Sequence, residues 1–256
     1  MTIRMARPGP EHPGRNILGV TVVQFHWQEA IDYLLTQIRN GSFTKVGFLN
    51  AHNANVASRD KDFALALRDF LILPDGVGVD VASRMLYGST FPANLNGTDF
   101  IPALFEAAPG PLRIGLLGAR RAIAEKAAAK LSALAPQHDY VVIHDGFFPP
   151  AEEPAILERI KQQRLDILLV ALGVPRQEYW IARHITPGHC TMPIGVGALL
   201  DFLSGAVPRA PAWVRSLRLE WLYRLYLEPG RLWRRYILGN PAFLTRVLFQ
   251  KLRGQS

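Results

Sequence analysis

FLILPDGVGVDVASRMLYG, residues 70–88, decides how this chain is read. Phe70 to Leu73 is a short apolar run of the kind that forms a buried strand. Pro74 and Gly76 stop it. From Val79 to Tyr87 the apolar residues return at helical spacing, and Gly88 supplies a C-terminal stop. Asp75 therefore falls at the carboxyl end of a strand, just ahead of a helix. In open α/β sheets that edge is where ligands bind. A carboxylate there can take a proton from a substrate hydroxyl. It can equally cap the helix or shape the Pro-Asp-Gly turn, and taken locally that is the simpler role.

The same alternation extends in both directions. Upstream, 17–25 is β-branched and strand-like, 27–39 is helical and closed by Gly41, and 46–49 is a strand. Asn50 to Asn55 follows it, and a helix is expected over 56–69. Downstream come a loop over 89–97 and a helix over 100–108. After Pro109-Gly110-Pro111 the expected strands are 113–117, 140–143, 167–172 and 192–196. The expected helices between and after them are 121–134, 155–163, 177–184 and 199–203. Strand–helix alternation predicts an α/β fold: a parallel, Rossmann-like sheet flanked by helices on both faces. The strand-end loops should line one cleft. The chain divides into a disordered N-terminal tail (1–15), an α/β catalytic domain (16–204, two halves joined near 109–111) and a helical C-terminal appendage (205–256). In the appendage, helices are expected over 216–227 and 232–238, broken at Pro229-Gly230. A third is expected to start at Asn240-Pro241, with Asn as N-cap and Pro at the first helical position.

Charge separates these parts. Of 29 Lys and Arg and 21 Asp and Glu, residues 205–256 hold ten basic side chains and only Glu220 and Glu228, so the excess of eight positive charges lies there and the rest is neutral. Trp213, Trp221 and Trp233 lie there too, with Tyr223, Tyr226 and Tyr236. Such a segment suits an anionic membrane surface, a nucleic acid, or a substrate diphosphate gripped by arginine. Its apolar residues point several ways around the helical wheel, so it should touch both the body and a second surface. No window is long and apolar enough to span a bilayer, which needs about 18 residues. The N-terminal residues lack the apolar core of a signal peptide. A single cysteine, Cys190, excludes a disulfide framework and fits a reducing cytoplasm.

Several constellations bear on chemistry. Gly115-Leu-Leu-Gly118 ends a strand and can present backbone amides to a diphosphate, or simply make a turn. It is not G-x-G-x-x-G, and no Walker lysine occurs, so a nicotinamide oxidoreductase has no fingerprint here. Gly173-Val-Pro-Arg-Gln177-Glu178 lies at another strand end, where Gln177 and Glu178 can bond a base or sugar, or merely start an exposed helix. Gly195-Val-Gly197 allows close ligand approach. Asp60-Lys61-Asp62 has the spacing of a metal-binding acid pair, but its charged surroundings read as a solvated face. No His pair has zinc spacing, and neither a metal nor a cofactor is expected.

These pieces together resemble the WecG/TagA/CpsF family of bacterial glycosyltransferases. The matching stretches are LPDGVGV (73–79), NGTDFIPAL (96–104), RIGLLGARRAIAEKAA (113–128), HDGFF (144–148), ILLVALGVPRQEYWIARH (167–184), GVGALLDFLSG (195–205) and the long segment RAPAWV…PAFL (209–244). The resemblance implies a metal-independent, inverting transfer of an N-acetylmannosamine-type or glucose-type hexose. The implied donor is a UDP-sugar, and the implied acceptor is a polyprenyl-diphosphate-linked sugar of cell-surface polysaccharide synthesis. It implies a peripheral enzyme on the cytoplasmic face of the inner membrane, with an appendage that meets the bilayer and completes the active site. Nucleic acid is not an expected partner, and assembly into a homo-oligomer is left open. The family's essential Asp falls on Asp75. Asn53, Arg209, Arg224 and Arg231 are expected to support it, and Asp99, Gly118, Gly173, Gln177, Glu178, Gly195 and Gly197 to hold the donor. Two departures stand out. Where many members carry Thr-x-Asn, this chain has Ala51-His52-Asn53, so Asn50, His52 or Asn53 must replace the hydroxyl. Asn94 stands where members often have a basic residue.

Overall fold

The computed structural model describes residues 13–254. Residues 1–12 of the expected N-terminal tail lie outside them. The rest of that tail is ordered. Gly14–Ile17 (β1) and Val20–Val23 (β2) form an antiparallel hairpin, where one strand over 17–25 was expected. Leu18 and Gly19 turn the chain with φ of 52° and 88°, the pair of positive φ values a two-residue turn needs. Arg15 fixes the hairpin to the body by donating to Ser83 Oγ and to the carbonyls of Ser89 and Thr90.

The helices and strands that follow are α1 (Trp27–Arg39), β3 (Lys45–Leu49), α2 (Ala51–Ala57), α3 (Lys61–Ala66), β4 (Phe70–Pro74), α4 (Val77–Tyr87) and α5 (Gly97–Ala107). After residues 109–111 come β5 (Arg113–Gly118), α6 (Arg121–Leu134), β6 (Asp139–His144), α7 (Glu153–Gln163), β7 (Leu165–Ala171), α8 (Arg176–His184), β8 (Cys190–Gly195) and α9 (Leu199–Leu203). The helix expected over 56–69 is two helices and a 3-10 turn. It starts earlier, because the Asn50 side chain caps it directly at the strand end, accepting from the amides of His52 and Asn53. It breaks where Asp60 caps a fresh start at α3.

β3 to β8 form one parallel six-stranded sheet in the order β4-β3-β8-β7-β5-β6. Val46 of β3 pairs with Ile194 of β8, which joins the two halves of the sequence into a single layer. Alternate residues of each strand point to opposite faces. On one side Ile72, Leu168 and Val170 pack with Ala54, Val79 and Ile181 of α2, α4 and α8. On the other, Leu71, Leu73 and Leu169 pack with Leu34, Phe100 and Leu131 of α1, α5 and α6.

The C-terminal segment is helical: α10 (Ala212–Ser216), α11 (Glu220–Leu227), α12 (Pro229–Trp233) and α13 (Gly239–Leu252). Three of the expected boundaries move. The helix expected from 216 starts at Glu220, after a separate α10. Pro229 opens a helix instead of breaking one. Asn240-Pro241 does not start one: a turn of π-helix over Arg234–Leu238 carries α12 into α13, and Leu238, ahead of α13, has helical angles. Pro241 has no N–H, so the regular bond back to Ile237 is missing, and the wider turn accommodates that loss. α13 lies along α2 and α4, burying Phe243 and Val247. Gln250 ties its far end to the hairpin, accepting from the Leu18 amide and donating to the Asn16 carbonyl.

Candidate active site

β4 is buried along its whole length and delivers Asp75 to the sheet edge. The Asp75 amide donates to the Leu49 carbonyl at 2.9 Å, so the ends of β3 and β4 stay in register one residue past the sheet. Gly76 then turns with φ of 89°, its amide held by Asn94 Oδ1 at 2.8 Å. α4 has no side-chain cap, so Asp75 does not perform the capping role that its position suggests. Its carboxylate turns instead to Asn50, whose Nδ2 donates to Asp75 Oδ2 at 3.1 Å. Asn50 has no freedom to flip. Its Oδ1 is committed to the amides of α2, which leaves only the NH2 end for Asp75.

Asp75 opens into a cleft of about 720 Å³ between the strand ends and the C-terminal helices. Burial pushes its pKa above the ordinary 3.8, against the opposing pull of the Asn50 bond and of Arg235 and Arg224. Neighbouring His52 is held neutral, its pKa lowered to about 4 by burial and by Arg235. Ala51 and His52 both line the cleft.

The arginines of the C-terminal segment fall into two groups. Some are struts. Arg218 pairs with the buried Asp80 at 2.7 Å. Arg209 reaches Asp99 at 2.8 Å and Glu220 at 3.2 Å. Asp99, expected to hold a donor, lines the cleft but is already shared between Arg209 and the Asn96 cap. Arg231, expected to contact substrate, makes a two-pronged bond with Glu228 and stays outside the cleft, because both lie on one exposed helical turn. Arg224 and Arg235 differ. Both line the cleft, and the buried Nε of each has no hydrogen-bond partner among the described residues. Arg224 lies over the Phe202 ring. Burial lowers the Arg235 pKa, though a guanidinium stays charged. Arg235 was not singled out from sequence. It lies within the π-turn, which has no local signature beyond the proline seven residues after Arg234.

The remaining expected residues sit elsewhere. Asn53 is buried behind the cleft, donating to the Phe48 carbonyl at 2.8 Å, and serves the β3–α2 joint. Gly118 and Gly195 end β5 and β8, and Gly173 and Gly197 lie just past β7 and β8, along the same sheet edge but outside this cleft. Gly118 is required by packing: with φ of 130°, a Cβ there would lie 2.4 Å from the Ala171 carbonyl oxygen. Gln177 and Glu178 are not exposed at a helix start. Both are buried, Gln177 accepting from the Gly197 amide and donating to Glu178 Oε1, while Glu178 Oε2 has no hydrogen-bond partner among the described residues. Asp60 caps α3 and accepts from the Tyr179 hydroxyl, which removes it from any acid pair. Among the described residues no group of His, Cys, Asp and Glu is placed to hold a metal.

The chain matches the glycosyl transferase WecG/TagA/CpsF family over residues 15–256. An N-acetylglucosaminyldiphosphoundecaprenol N-acetyl-beta-D-mannosaminyltransferase of Bacillus subtilis (strain 168) is 34% identical over 208 residues, 79% of this chain and 78% of that protein. The protein of that name in Bacillus spizizenii is 33% identical over 72% of this chain and 70% of its own length. The one in Staphylococcus aureus (strain NCTC 8325) is 30% identical over 69% and 68%.

Glu178 gives this edge of the sheet a pH dependence. Burial raises its pKa from 4.5 to about 7, with the Gln177 bond opposing the shift. The folded state thus holds a proton that the unfolded state has already released between those values, so stability is lost as pH rises from 4.5 through 7. Glu178→Gln keeps the acceptor for Gln177 and removes the ionisation. Urea denaturation should find the variant equal to the parent at pH 4.5 and more stable at pH 8, by no more than about 3 kcal/mol. A variant less stable at pH 8 would show that the carboxylate is favourably bound.

Proposed function

The chain belongs to the WecG/TagA/CpsF glycosyltransferase family, and from that premise we propose that it moves a hexose from a UDP-sugar to a polyprenyl-diphosphate-linked sugar. The names of its relatives favour N-acetylmannosamine as the sugar moved and N-acetylglucosaminyldiphosphoundecaprenol as the acceptor. The observation that carries this reading is the pairing of Asp75 with Arg224 and Arg235 in one cleft. A partly open carboxylate of raised pKa faces two guanidinium groups whose buried Nε atoms have no hydrogen-bond partner among the described residues. A proton acceptor next to unspent positive charge suits a reaction in which an alcohol attacks and a diphosphate leaves.

The step is a single inverting displacement. The acceptor hydroxyl oxygen bonds to the anomeric carbon and gives its proton to Asp75. The bond from that carbon to the diphosphate oxygen breaks, and UDP leaves with the electron pair. Arg224 and Arg235 take up the charge that develops on the diphosphate, with no metal in this scheme. Asn50 orients the base, and neutral His52 adds no positive charge beside it.

The acceptor's lipid would stay in the bilayer. No helix among the described residues is long and apolar enough to cross a membrane. Trp213, Leu217, Tyr226 and Ile237 are nonetheless exposed around the rim of the basic segment. Aromatic and basic residues on one surface suit the headgroup region, which supports peripheral attachment at the cytoplasmic face. Nucleic-acid binding would leave the cleft unused.

Asp75→Asn should lower turnover roughly 10²- to 10⁴-fold. UDP affinity should be unchanged and stability no lower, since the buried charge is what burial opposes. In the parent, turnover should fall as pH drops through the Asp75 pKa, with the acid limb above 3.8. A limb at or below that value, or a largely active Asn variant, would remove Asp75 as the base.

Arg224→Gln and Arg235→Gln should each lose roughly 10²-fold or more in turnover and weaken inhibition by UDP. Arg231→Gln, whose side chain is spent on Glu228, should stay within about twofold, by the usual small effect of an exposed pair. Turnover should persist in EDTA. Loss on chelation with rescue by magnesium or manganese would place the diphosphate charge on a metal instead.

A further inference from the structure

A second depression, of about 640 Å³, lies where α13 passes the hairpin, away from the cleft. Asn16, Leu18 and Gly19 form one wall, with Arg246, Phe249 and Arg253 opposite. Its floor is fixed. Gln250 accepts from the Leu18 amide and donates to the Asn16 carbonyl, and Asn16 Oδ1 accepts from the Gly19 amide.

The charge here is one-sided. Arg246 and Arg253 line the depression, and Arg59 is close enough to Arg246 to disfavour its charge further, after burial. Among the described residues none of the three pairs with a carboxylate. Arg246 donates only to the neutral Asn55 side chain, and Asp60, next to Arg59, is turned to Tyr179. The carboxyl end of α13 attracts cations, but a helix pole amounts to about half a charge. That accounts for one arginine and leaves the others without an anion. Beside the depression, Phe249 and Leu252 expose most of their side chains to solvent, and Leu248 is also exposed.

We propose that this depression binds the phosphate of an acidic phospholipid headgroup, with Arg246 and Arg253 as its ligands and Phe249 and Leu252 entering the acyl boundary. Guanidinium groups match phosphate geometry, and an apolar rim beside them is what a lipid presents and a free phosphate does not. The site is separate from the cleft but shares a helix with it: Phe243 and Leu244 of α13 line the cleft, and Arg246 follows within one turn. Headgroup binding would set the height of the cleft at the surface, where a lipid-linked acceptor emerges. The inference rests on the membrane reading above.

The test compares two double variants of equal charge loss by flotation with phosphatidylcholine vesicles carrying a minority of phosphatidylglycerol. Arg246→Gln with Arg253→Gln should lose roughly tenfold more affinity than Arg234→Gln with Lys251→Gln, whose side chains lie outside the depression. Turnover on a water-soluble acceptor analogue should be unchanged in both. The single changes Arg253→Gln and Arg59→Gln, at exposed positions, should shift vesicle affinity in the same direction without moving the melting temperature. Equal losses in the two double variants would mean diffuse attraction and overturn the site. Inorganic phosphate that stabilises the parent but not Arg246→Gln/Arg253→Gln, with vesicle binding equal in both, would make it a free-phosphate site and overturn the lipid assignment. Failure of the intact chain to bind these vesicles at all would sink the membrane reading too, while activity on the soluble analogue would still stand for the transferase.

Discussion

The Asn50 carboxamide is the constraint on which the cleft depends. Its oxygen is spent on the first amides of α2, and its nitrogen is thereby left for Asp75. One side chain thus joins the end of β3, the start of a helix and the carboxylate on β4. The parallel pairing of β3 and β4 brings the two residues together, and the Asp75 amide bond to Leu49 extends that pairing past the sheet. A carboxylate enclosed in this way is expensive to ionise. What offsets the cost is a single neutral donor and two arginines that come from almost the other end of the chain. The body alone would hold Asp75 with less compensating charge, so the chemistry of the base and the docking of the C-terminal helices are one problem.

That docking divides the basic segment by electrostatic role. Arg209 and Arg218 have acidic partners on α5 and α4 and act as struts. Phe243 and Val247 add apolar contact through α13. Among the described residues Arg224 and Arg235 make no such close ion pair; they line the cleft, where their charge reaches Asp75. Paired guanidinium groups hold the segment down because their charge is spent. The π-turn before Pro241 matters here, since Arg235, which lines the cleft, lies within it.

Much of the architecture is legible in the sequence because it is written in local periodicity. Phe70 to Leu73 as a buried strand, Asp75 at its end, α4 closed by Gly88, and the strand–helix alternation after residue 111 all follow from spacing and turn residues. These signals survive because buried faces must be apolar and turns need glycine or proline wherever the rest of the chain lies. The concentration of positive charge after residue 204 is likewise a property of composition alone.

Which residues meet across the fold is not written in local spacing. Asn50 and Asp75 lie 25 residues apart, and nothing local marks one as the other's partner. The early start of α2 was hidden because a polar run after a strand reads as a loop until its cap is seen. The hairpin was hidden because Leu18 is an unusual residue at positive φ. Gln177 and Glu178 read as donor-holding residues or an exposed helix start, yet α8 packs them against β7 and β8 and buries them. Equal arginines in one basic segment became struts or free charges according to whether Asp80, Asp99 or Glu228 lay within reach. Sequence fixes which side chains carry charge. Whether that charge is neutralised depends on distances between segments, and those exist only once the sheet has set its strand order.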